Sequence, residues 1–290
     1  MNPPSFAFIA EALDRADELR RDAAALDALR ADARCLRLDA RGQVAVESDG
    51  RPRFERGAPA YAVFLGLGRG EPWFAALGEA GFAQGAPLLD LRAAAATWPA
   101  FEATLFAQAR AVLHWRGSHR FCPGCGGVLA YSRGGWQGDC AACGRTEYPR
   151  SDPAVIVAVS DGERLLLGRQ AAWPARRYSV LAGFVEPGES LEQTVTREVY
   201  EESRVRVLRS RYLASQPWPF PGSLMLGFIA EAHPDAPRTA QDELEDARWF
   251  GRGEILAALA GDDGAAPLRL SPPMSISRWL IECWVAGERA

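Results

Sequence analysis

The segment from residue 190 to 203 restricts the fold of this chain more than any other part of the sequence. Ser190, followed three residues later by Gln193, forms a capping box, which fixes where a helix begins. Every fourth position inside that helix is apolar, at Leu191, Val195 and Val199. Such a stripe must be buried against another layer of the protein. Apolar runs at residues 179–185 and 205–214 flank the segment, so the pattern predicts strand, loop, helix and strand in succession.

The same helix carries a cluster of acidic side chains. At about 100° per residue, Glu198, Glu201 and Glu202 fall on one face beside the buried stripe, and Glu189 ends the preceding loop. Neighbouring carboxylates repel one another, and Arg197 compensates only part of this repulsion. An acidic surface exposed to water is one interpretation. The other is a site for Mg²⁺ or Mn²⁺, because these ions prefer clustered oxygen ligands and polarise phosphates.

The segment resembles the signature of the Nudix hydrolase family. The family's box reads Gly, five residues, Glu, seven residues, Arg-Glu, aliphatic, any residue, Glu-Glu, any residue, Gly, aliphatic. This chain matches it at Gly183, Glu189, Arg197, Glu198, Val199, Glu201, Glu202 and Val205. The closing glycine is replaced by Arg204. If that position needs a left-handed backbone, arginine costs roughly 1 kcal/mol there. The resemblance implies hydrolysis of a nucleoside diphosphate linked to another group.

Four cysteines lie in two matched pairs, Cys122-x-x-Cys125 and Cys140-x-x-Cys143. Each pair can place two thiolates on one side of a tetrahedral zinc ion, and four sulfurs leave no open coordination position. A redox-active CxxC and disulfides are the competing interpretations, which two matched pairs in a cytosolic chain make less favoured. Some zinc ribbons bind nucleic acid. That alternative stays open because of the surrounding arginines, Arg116, Arg120, Arg133, Arg145 and Arg150.

A proline-rich segment from Ser215 to Met225 holds two aromatic residues, Trp218 and Phe220. Alternating prolines make this loop stiff, so it can present aromatic faces to a flat heterocycle at low entropic cost. A rigid connection packed on the core would show the same residues. The segment is similar to the Ser-Gln-Pro-Trp-Pro-Phe-Pro-x-Ser tag of the NADH pyrophosphatase branch of the Nudix family. The upstream cysteine ribbon and Tyr148-Pro149 resemble that branch too.

The resemblance implies roles for individual residues. Oxygen ligands for more than one catalytic Mg²⁺ or Mn²⁺ ion are expected from Glu198, Glu201, Glu202, Glu243 and the carbonyl of Ala182. Glu202 is expected to be the most sensitive of them, and Glu189 and Arg197 to complete the catalytic group. Dinucleotide contacts are expected from Tyr148, Phe184, Gln216, Pro217, Trp218, Pro219, Phe220, Pro221, Gly222, Ser223, Met225 and Ser277. The cysteines would hold one structural Zn²⁺ per chain. Two copies of the chain would form a homodimer in which both subunits build each site.

The reaction that this resemblance implies is hydrolysis of NAD(H) to NMN(H) and AMP, together with removal of NAD caps from RNA 5′ ends. A broader pyrophosphatase that acts on ADP-ribose or dinucleoside substrates is one alternative. A non-catalytic sensor of NAD or RNA on a Nudix scaffold is another. The complete set of box glutamates weighs against a sensor, since binding alone does not require all of them.

The order of elements predicts an α/β protein of 290 residues in three parts. Residues 1–115 form an N-terminal α+β domain for packing or dimerisation, with helices over Leu13–Leu29 and Phe101–Trp115. Residues 116–150 form the zinc ribbon. Residues 151–290 form a catalytic α/β/α sandwich with a mixed sheet, because short β-branched runs alternate with amphipathic helices.

Composition narrows the classes of partner. The net charge of −4 opposes a broad nucleic-acid footprint, although a local basic stripe remains compatible with it. All 33 basic residues are arginine, so any phosphate contact uses a guanidinium fork. The chain lacks an apolar run long enough to cross a bilayer, and its N-terminus lacks a secretory pattern. These features predict a cytoplasmic protein with no membrane partner.

Overall fold

A computed structural model describes residues 4–9, 13–78, 85–239, 243–261 and 268–290. The chain divides into two compact units. The C-terminal unit comprises residues 1–6, 152–217 and 223–290. The N-terminal unit comprises residues 7–151 and also residues 218–222.

The N-terminal unit contains, in its described residues, a six-stranded mixed sheet with order β4-β5-β1-β2-β6 and β3 beside β1. Its strands are β1 (Arg34–Leu38), β2 (Val44–Ala45), β3 (Phe54–Arg56), β4 (Val63–Gly68), β5 (Glu71–Leu77) and β6 (Leu88–Leu89). Its helices are α1 (Asp17–Arg21), α2 (Ala23–Leu29), α3 (Leu91–Thr97) and α4 (Ala100–Ser118). Helix α4 contains the helix predicted over Phe101–Trp115.

The single helix predicted over Leu13–Leu29 is wrong. The chain forms the short helices α1 and α2 instead, with Asp22 between them in an extended conformation (φ −108°, ψ 98°). The Asp22 carboxylate accepts a hydrogen bond from the backbone N–H of Ala25 at 3.0 Å and thereby caps α2. Asp side chains compete for backbone hydrogen bonds in this way, and an apolar periodicity does not reveal it.

The ribbon follows α4 within the N-terminal unit. Its antiparallel strands are β7 (Leu129–Ser132), β8 (Gln137–Cys140) and β9 (Thr146–Glu147), with a 3₁₀ turn at Arg133–Gly135. Leu129, Cys122 and Cys140 are buried together as a small core. A core of this size stabilises little on its own, which is why small domains of this kind usually need a metal.

The C-terminal unit is a mixed sheet with helices on both faces. The sheet order is β13-β14-β10-β11-β15, and β12 also pairs with β10. Its strands are β10 (Asp152–Ser160), β11 (Arg164–Arg169), β12 (Leu181–Phe184), β13 (Val207–Trp218), β14 (Ser223–Ala232) and β15 (Asp246–Gly251). Its helices are α5 (Leu191–Ser203), α6 (Arg252–Ala260) and α7 (Ile276–Val285). Strand β10 runs parallel to β14 and antiparallel to β11 and β12.

Successive residues of β10 enter two different cores, because side chains alternate across a strand. Ile156 and Ala158 pack in a core that includes residues of α6 and α7. Val155 and Val157 pack in the opposite core, which contains Val199 of α5. The sheet therefore lies between α5 on one face and α6 and α7 on the other, and the predicted α/β/α sandwich is confirmed. Within the described residues, no helix combines the length and apolar character needed to cross a membrane.

Candidate active site

The capping box sets the position of helix α5. The backbone N–H of Ser190 donates to Gln193 Oε1 at 2.7 Å, and Ser190 Oγ accepts from the backbone N–H of Gln193 at 3.3 Å. The helix then runs from Leu191 to Ser203, the bounds predicted from the sequence. Val195 and Val199 are both 0% exposed. Burial of this stripe fixes the rotation of the helix and therefore the direction of its acidic side chains.

Arg197 connects the loop before the helix to the helix itself. Its guanidinium donates to both carboxylate oxygens of Glu189 at 2.6 and 2.9 Å, to Glu198 at 2.9 Å and to Glu201 at 3.0 Å. It also donates to the carbonyl of Phe184 at 2.9 Å. The hydrogen bonds from Arg197 are the main reason that the pKa of Glu189 is lowered to about 2. One guanidinium cannot neutralise three carboxylates, so the cluster keeps a net negative charge.

Glu198 lies against the backbone of strand β12. It is 9% exposed. A Cβ atom built on Gly183 would lie 1.8 Å from its carboxyl carbon, so only glycine leaves room for this carboxylate. Burial raises the pKa of Glu198, the adjacent Arg197 opposes that rise, and the charges of Glu201 and Glu243 add to it. The family's box thus opens with a glycine because any side chain at that position would collide with Glu198.

Glu202 is the carboxylate of the cluster whose negative charge is least compensated by neighbouring groups. Its Oε2 atom is buried and has no hydrogen-bond partner among the described residues. Burial, followed by the charges of Glu198 and Glu243, raises the pKa of Glu202 to about 8, while a hydrogen bond from the backbone of Ala182 opposes this. A buried carboxylate oxygen without a partner is costly unless a cation satisfies it. The donor set therefore fits a divalent cation bound by oxygen ligands.

Glu243 comes from a separate loop, where three contacts fix the neighbouring residues. The backbone N–H of Glu245 donates to the carbonyl of Arg169 at 2.9 Å, and the two side chains form an ion pair. Leu244 packs so tightly on Gly168 that a Cβ at residue 168 would lie 2.7 Å from it. Glu243 itself is exposed, yet its charge raises the pKa of both buried glutamates of the cluster.

Some residues of the cluster had no role in the sequence analysis. Thr194 is fully buried, and its hydroxyl donates to Glu189 Oε2 at 2.9 Å. Arg169 and Leu244 fix the loop of Glu243, as described above. A threonine in a helix and a leucine in a loop are too common to be singled out without the three-dimensional contacts.

The four ribbon cysteines lie close together as free thiols. The Sγ atoms of Cys122 and Cys143 are 3.7 Å apart, and those of Cys125 and Cys140 are 3.4 Å apart. Zn–S bonds of about 2.3 Å place the sulfurs about 3.8 Å apart in a tetrahedron. In the described part of the chain, this is the one group of three or more His, Cys, Asp or Glu ligands whose atoms all lie within 4.8 Å of one another. A structural zinc site, rather than disulfides, matches this geometry.

One thiol of this cluster, that of Cys140, is set up to ionise. Hydrogen bonds to its sulfur, led by one from the backbone of Cys143, lower the pKa of Cys140 to about 7. Gly124 donates its backbone N–H to Cys122 Sγ at 3.4 Å. Thiolate, and not thiol, binds a metal ion, so such hydrogen bonds favour metal binding.

Gln216, in the proline-rich segment, is buried and bonded within the C-terminal unit. It is 0% exposed. Its side chain donates to the carbonyl of Met274 at 2.8 Å and accepts from the backbone N–H of Ile276 at 2.8 Å. The amide thereby joins the end of β13 to the start of α7. These bonds engage both ends of the Gln216 amide, and its role as a substrate contact stays a prediction.

The other predicted substrate contacts differ in exposure. Tyr148 and Phe184 are exposed aromatic residues, at 54% and 58%. Ser277 is buried, with its Oγ 2.8 Å from that of Ser179. Met225 is half-buried against the core that contains α7. The roles of these residues as substrate contacts stay predictions.

Known families cover nearly the whole of this chain. The NADH pyrophosphatase-like rudimentary NUDIX domain matches residues 19–115, the NADH pyrophosphatase zinc ribbon domain matches residues 118–148, and the NUDIX domain matches residues 150–269. The NAD-capped RNA hydrolase NudC of Mycobacterium bovis is 41% identical over 292 residues, which span 95% of this chain and 93% of that protein.

The chain belongs to the Nudix hydrolase family, in its NADH pyrophosphatase branch.

Relatives of this Nudix hydrolase occur in distant organisms. The NAD-capped RNA hydrolase NudC of Mycobacterium tuberculosis is 41% identical over 292 residues, with the same coverage of 95% and 93%. The NAD-capped RNA hydrolase NUDT12 of Homo sapiens is 42% identical over 194 residues, which are 63% of this chain and 42% of the human protein. The fold and the family predicted from the sequence are confirmed.

Proposed function

We propose that this Nudix hydrolase cleaves the pyrophosphate bond of NAD(H) to give NMN(H) and AMP, and that it removes NAD caps from RNA 5′ ends. The observation that carries the chemistry is the buried Oε2 atom of Glu202, which has no hydrogen-bond partner in the described part of the chain and lies on the helix face that also holds Glu198. The substrate is inferred from the relatives, since proteins named NAD-capped RNA hydrolase align with almost the entire chain.

We further propose that Mg²⁺ or Mn²⁺ ions, more than one per site, bind the acidic helix. The ligands would be Glu198, Glu201, Glu202, Glu243 and the carbonyl of Ala182. When bound, such ions neutralise the phosphate oxygens and activate the attacking water. This proposal is supported by the unsatisfied oxygen of Glu202 and by the mutual repulsion of the carboxylates.

The protein's own residues set the geometry for this reaction. Arg197 holds Glu189, Glu198 and Glu201 in fixed positions through four hydrogen bonds. Gly183 leaves the space that Glu198 occupies. As water attacks one phosphorus of a pyrophosphate, the P–O bond to the leaving phosphate breaks and negative charge builds up on the leaving oxygen. Groups positioned beforehand stabilise that charge without reorganising during the reaction.

The substrate would be held by the aromatic loop of residues 218–222 and by Tyr148 and Phe184. Base–aromatic stacking suits a dinucleotide, because both of its bases are flat. The ribbon would carry one Zn²⁺ per chain and stabilise the N-terminal unit. We also propose that the chain forms a homodimer in which both subunits build each site. Light scattering during size-exclusion chromatography of the purified protein would measure the mass of the assembly.

The function is tested by measuring turnover of the purified protein on NADH, NAD⁺, ADP-ribose and NAD-capped RNA, with Mg²⁺ or Mn²⁺ and with EDTA. We expect the highest kcat/KM on NADH or NAD-capped RNA, and loss of activity in EDTA that either metal reverses. A preference for ADP-ribose would replace the proposal with a broader pyrophosphatase. Tight NAD binding without turnover of any of these substrates would indicate a sensor instead.

A further inference from the structure

The aromatic loop is built into the N-terminal unit, although strands β13 and β14 on either side of it belong to the C-terminal sheet. Trp218 and Phe220 have ring centroids 5.0 Å apart. Phe8, which is 3% exposed, approaches each of these rings to 6.5 Å. Pro219 between them is buried. Trp218 and Phe220 are half-buried and Pro221 is exposed, so the loop has a packed surface as well as an open one.

Two arginines of the N-terminal domain contact the ring of Phe220. The guanidinium carbon of Arg92, in the first turn of α3, lies 4.1 Å from the centroid of Phe220 and 5.4 Å from that of Trp218. The guanidinium carbon of Arg110, in α4, lies 5.1 Å from the centroid of Phe220. Arg110 also donates a hydrogen bond to the carbonyl of Pro219. Both the side chain and the backbone of the loop are thus bound to helices of the N-terminal domain.

This arrangement places two positive charges near each other, which costs energy unless both find compensation. Burial and the charge of Arg92 lower the pKa of Arg110, and Asp90 partly restores it. The electron-rich ring faces and the carbonyl oxygen of Pro219 supply the rest of the compensation. The contacts of the two arginines are therefore tied to the loop and would have little value without it.

We propose that Arg92 and Arg110 are positioning residues for substrate recognition, which hold Phe220 and Trp218 in the orientation that receives the dinucleotide. This inference rests on the proposed function. It assigns a task to the N-terminal domain, which is to order the aromatic rings of the loop. The prolines stiffen the loop backbone, whereas the orientation of the two rings depends on these side-chain contacts.

The test compares Arg92→Ala and Arg110→Ala with the control Arg69→Ala. Arg69 makes the same kind of contact in the same unit, 3.9 Å over the ring of Phe101, but does not touch the loop. A guanidinium–ring contact predicts a KM for NADH raised by about 3- to 30-fold in Arg92→Ala and Arg110→Ala. We expect kcat to change by less than about threefold, because the acidic helix is intact, and we expect Arg69→Ala to keep the wild-type KM.

A double-mutant cycle separates positioning from direct contact with substrate. If Arg92 acts through the two rings, then Arg92→Ala adds no further rise in KM when Trp218 and Phe220 are both already replaced by leucine. Equal rises in KM in both backgrounds would show that Arg92 binds the substrate itself, and this would overturn the proposal. So would an unchanged KM in Arg92→Ala and Arg110→Ala.

A readout without substrate keeps this test independent of the proposed function. Hydrogen exchange of the backbone N–H groups of Phe220 and Gly222 reports the order of the loop in the free protein. We expect faster exchange there in Arg92→Ala and not in Arg69→Ala. If the wild-type protein hydrolyses no dinucleotide but exchange still rises, the proposed function fails while the contact is upheld. If Arg92→Ala does not fold, Arg92→Gln, which keeps much of the side-chain volume, replaces it. Unchanged exchange in the folded variant overturns the proposal.

Discussion

The carboxyl group of Glu198 occupies the space in which a side chain of residue 183 would begin. A Cβ atom at that position would lie 1.8 Å from the carboxyl carbon and 2.0 and 2.2 Å from the two oxygens. Strand β12 presents this glycine opposite Val155 of β10, so it lies within the sheet and cannot move freely. The glycine and the glutamate therefore form one structural unit.

Gly183→Ala is expected to lower turnover by about 100-fold or more, since displacing Glu198 removes a positioned charged group from the reaction. Overpacking is also expected to lower the free energy of unfolding by about 1–3 kcal/mol. Steady-state kinetics and chemical denaturation measure the two effects. Gly253→Ala is the matched control, because a Cβ at Gly253 meets nothing within 4 Å and should leave turnover unchanged. Wild-type turnover in Gly183→Ala would contradict this account of Glu198.

Glu202→Gln keeps the shape of the side chain and deletes its charge. We expect turnover of NADH to fall by at least about 100-fold, with the zinc content unchanged. When both proteins are measured in EDTA, the free energy of unfolding of the variant should not be lower than that of the wild type. The reason is that burial already disfavours the charged form and raises the pKa of Glu202 to about 8. Glu192→Gln, on the exposed side of the same helix, is the control and should be fully active. Near-normal activity of folded, metal-loaded Glu202→Gln would mean that the acidic helix is only a solvated surface.

Arg204 occupies the position of the glycine that closes the family's box, with φ 60° and ψ 14°. The backbone there is left-handed, so the condition under which an arginine costs energy at this position is met. Glycine adopts this conformation without strain, so Arg204→Gly is expected to raise the free energy of unfolding by about 1 kcal/mol. Arg204→Ala, which keeps the strain but loses the guanidinium 5.3 Å over Tyr200, should not stabilise. Thermal melts of the three proteins test this, and an equal gain from alanine would locate the effect in the side chain.

Cys125→Ser removes one of four ligands from a cluster whose atoms lie within 4.8 Å. We expect about one zinc ion per chain in the wild type by elemental analysis, and loss of both zinc and folding in the variant, since metal-binding energy here is folding energy. Cys35→Ala, a buried cysteine outside the ribbon, is expected to keep its zinc. A zinc-free wild-type protein with a folded ribbon would refute the structural role.

Trp218→Ala tests whether the aromatic loop binds a base or only packs. Stacking predicts a weaker binding of NADH by about 1–3 kcal/mol, seen as a raised KM with little change in kcat. Trp98→Ala is the control, because Trp98 packs on Phe106 and binds the carbonyl of Gly50 within the same unit. If both variants change only stability and neither changes KM, the loop is a packed connection.

The sequence was sufficient for helix α5 because its capping box, apolar stripe and flanking strands agree on one structure. It was insufficient for the division at Asp22, where a side-chain cap competes with an apolar periodicity. The same limit applies to Gln216. Its burial and its bonds to Met274 and Ile276 depend on a segment far away in the chain, and no local pattern indicates them.

The candidate site shows the same contrast between local and distant information. Glu198, Glu201 and Glu202 follow from one helix and its rotation. Glu243 has no local pattern that marks it, and it was proposed only from family resemblance. Its place beside the helix depends on the ion pair of Arg169 with Glu245, which joins the end of β11 to the residue before β15. Such pairings are set by tertiary packing, and a single sequence does not encode them in a readable period.

Residues 218–222 belong to the N-terminal unit, and this limits how segments of this protein can be exchanged with those of its relatives. A chimera that takes its first half from one relative and its catalytic sheet from another would combine residues 8, 92 and 110 with a loop selected beside different neighbours. Its acidic helix and its zinc ribbon could each be intact while substrate affinity is lost. The natural exchange unit is therefore the N-terminal domain together with the stretch of gene that encodes the aromatic loop.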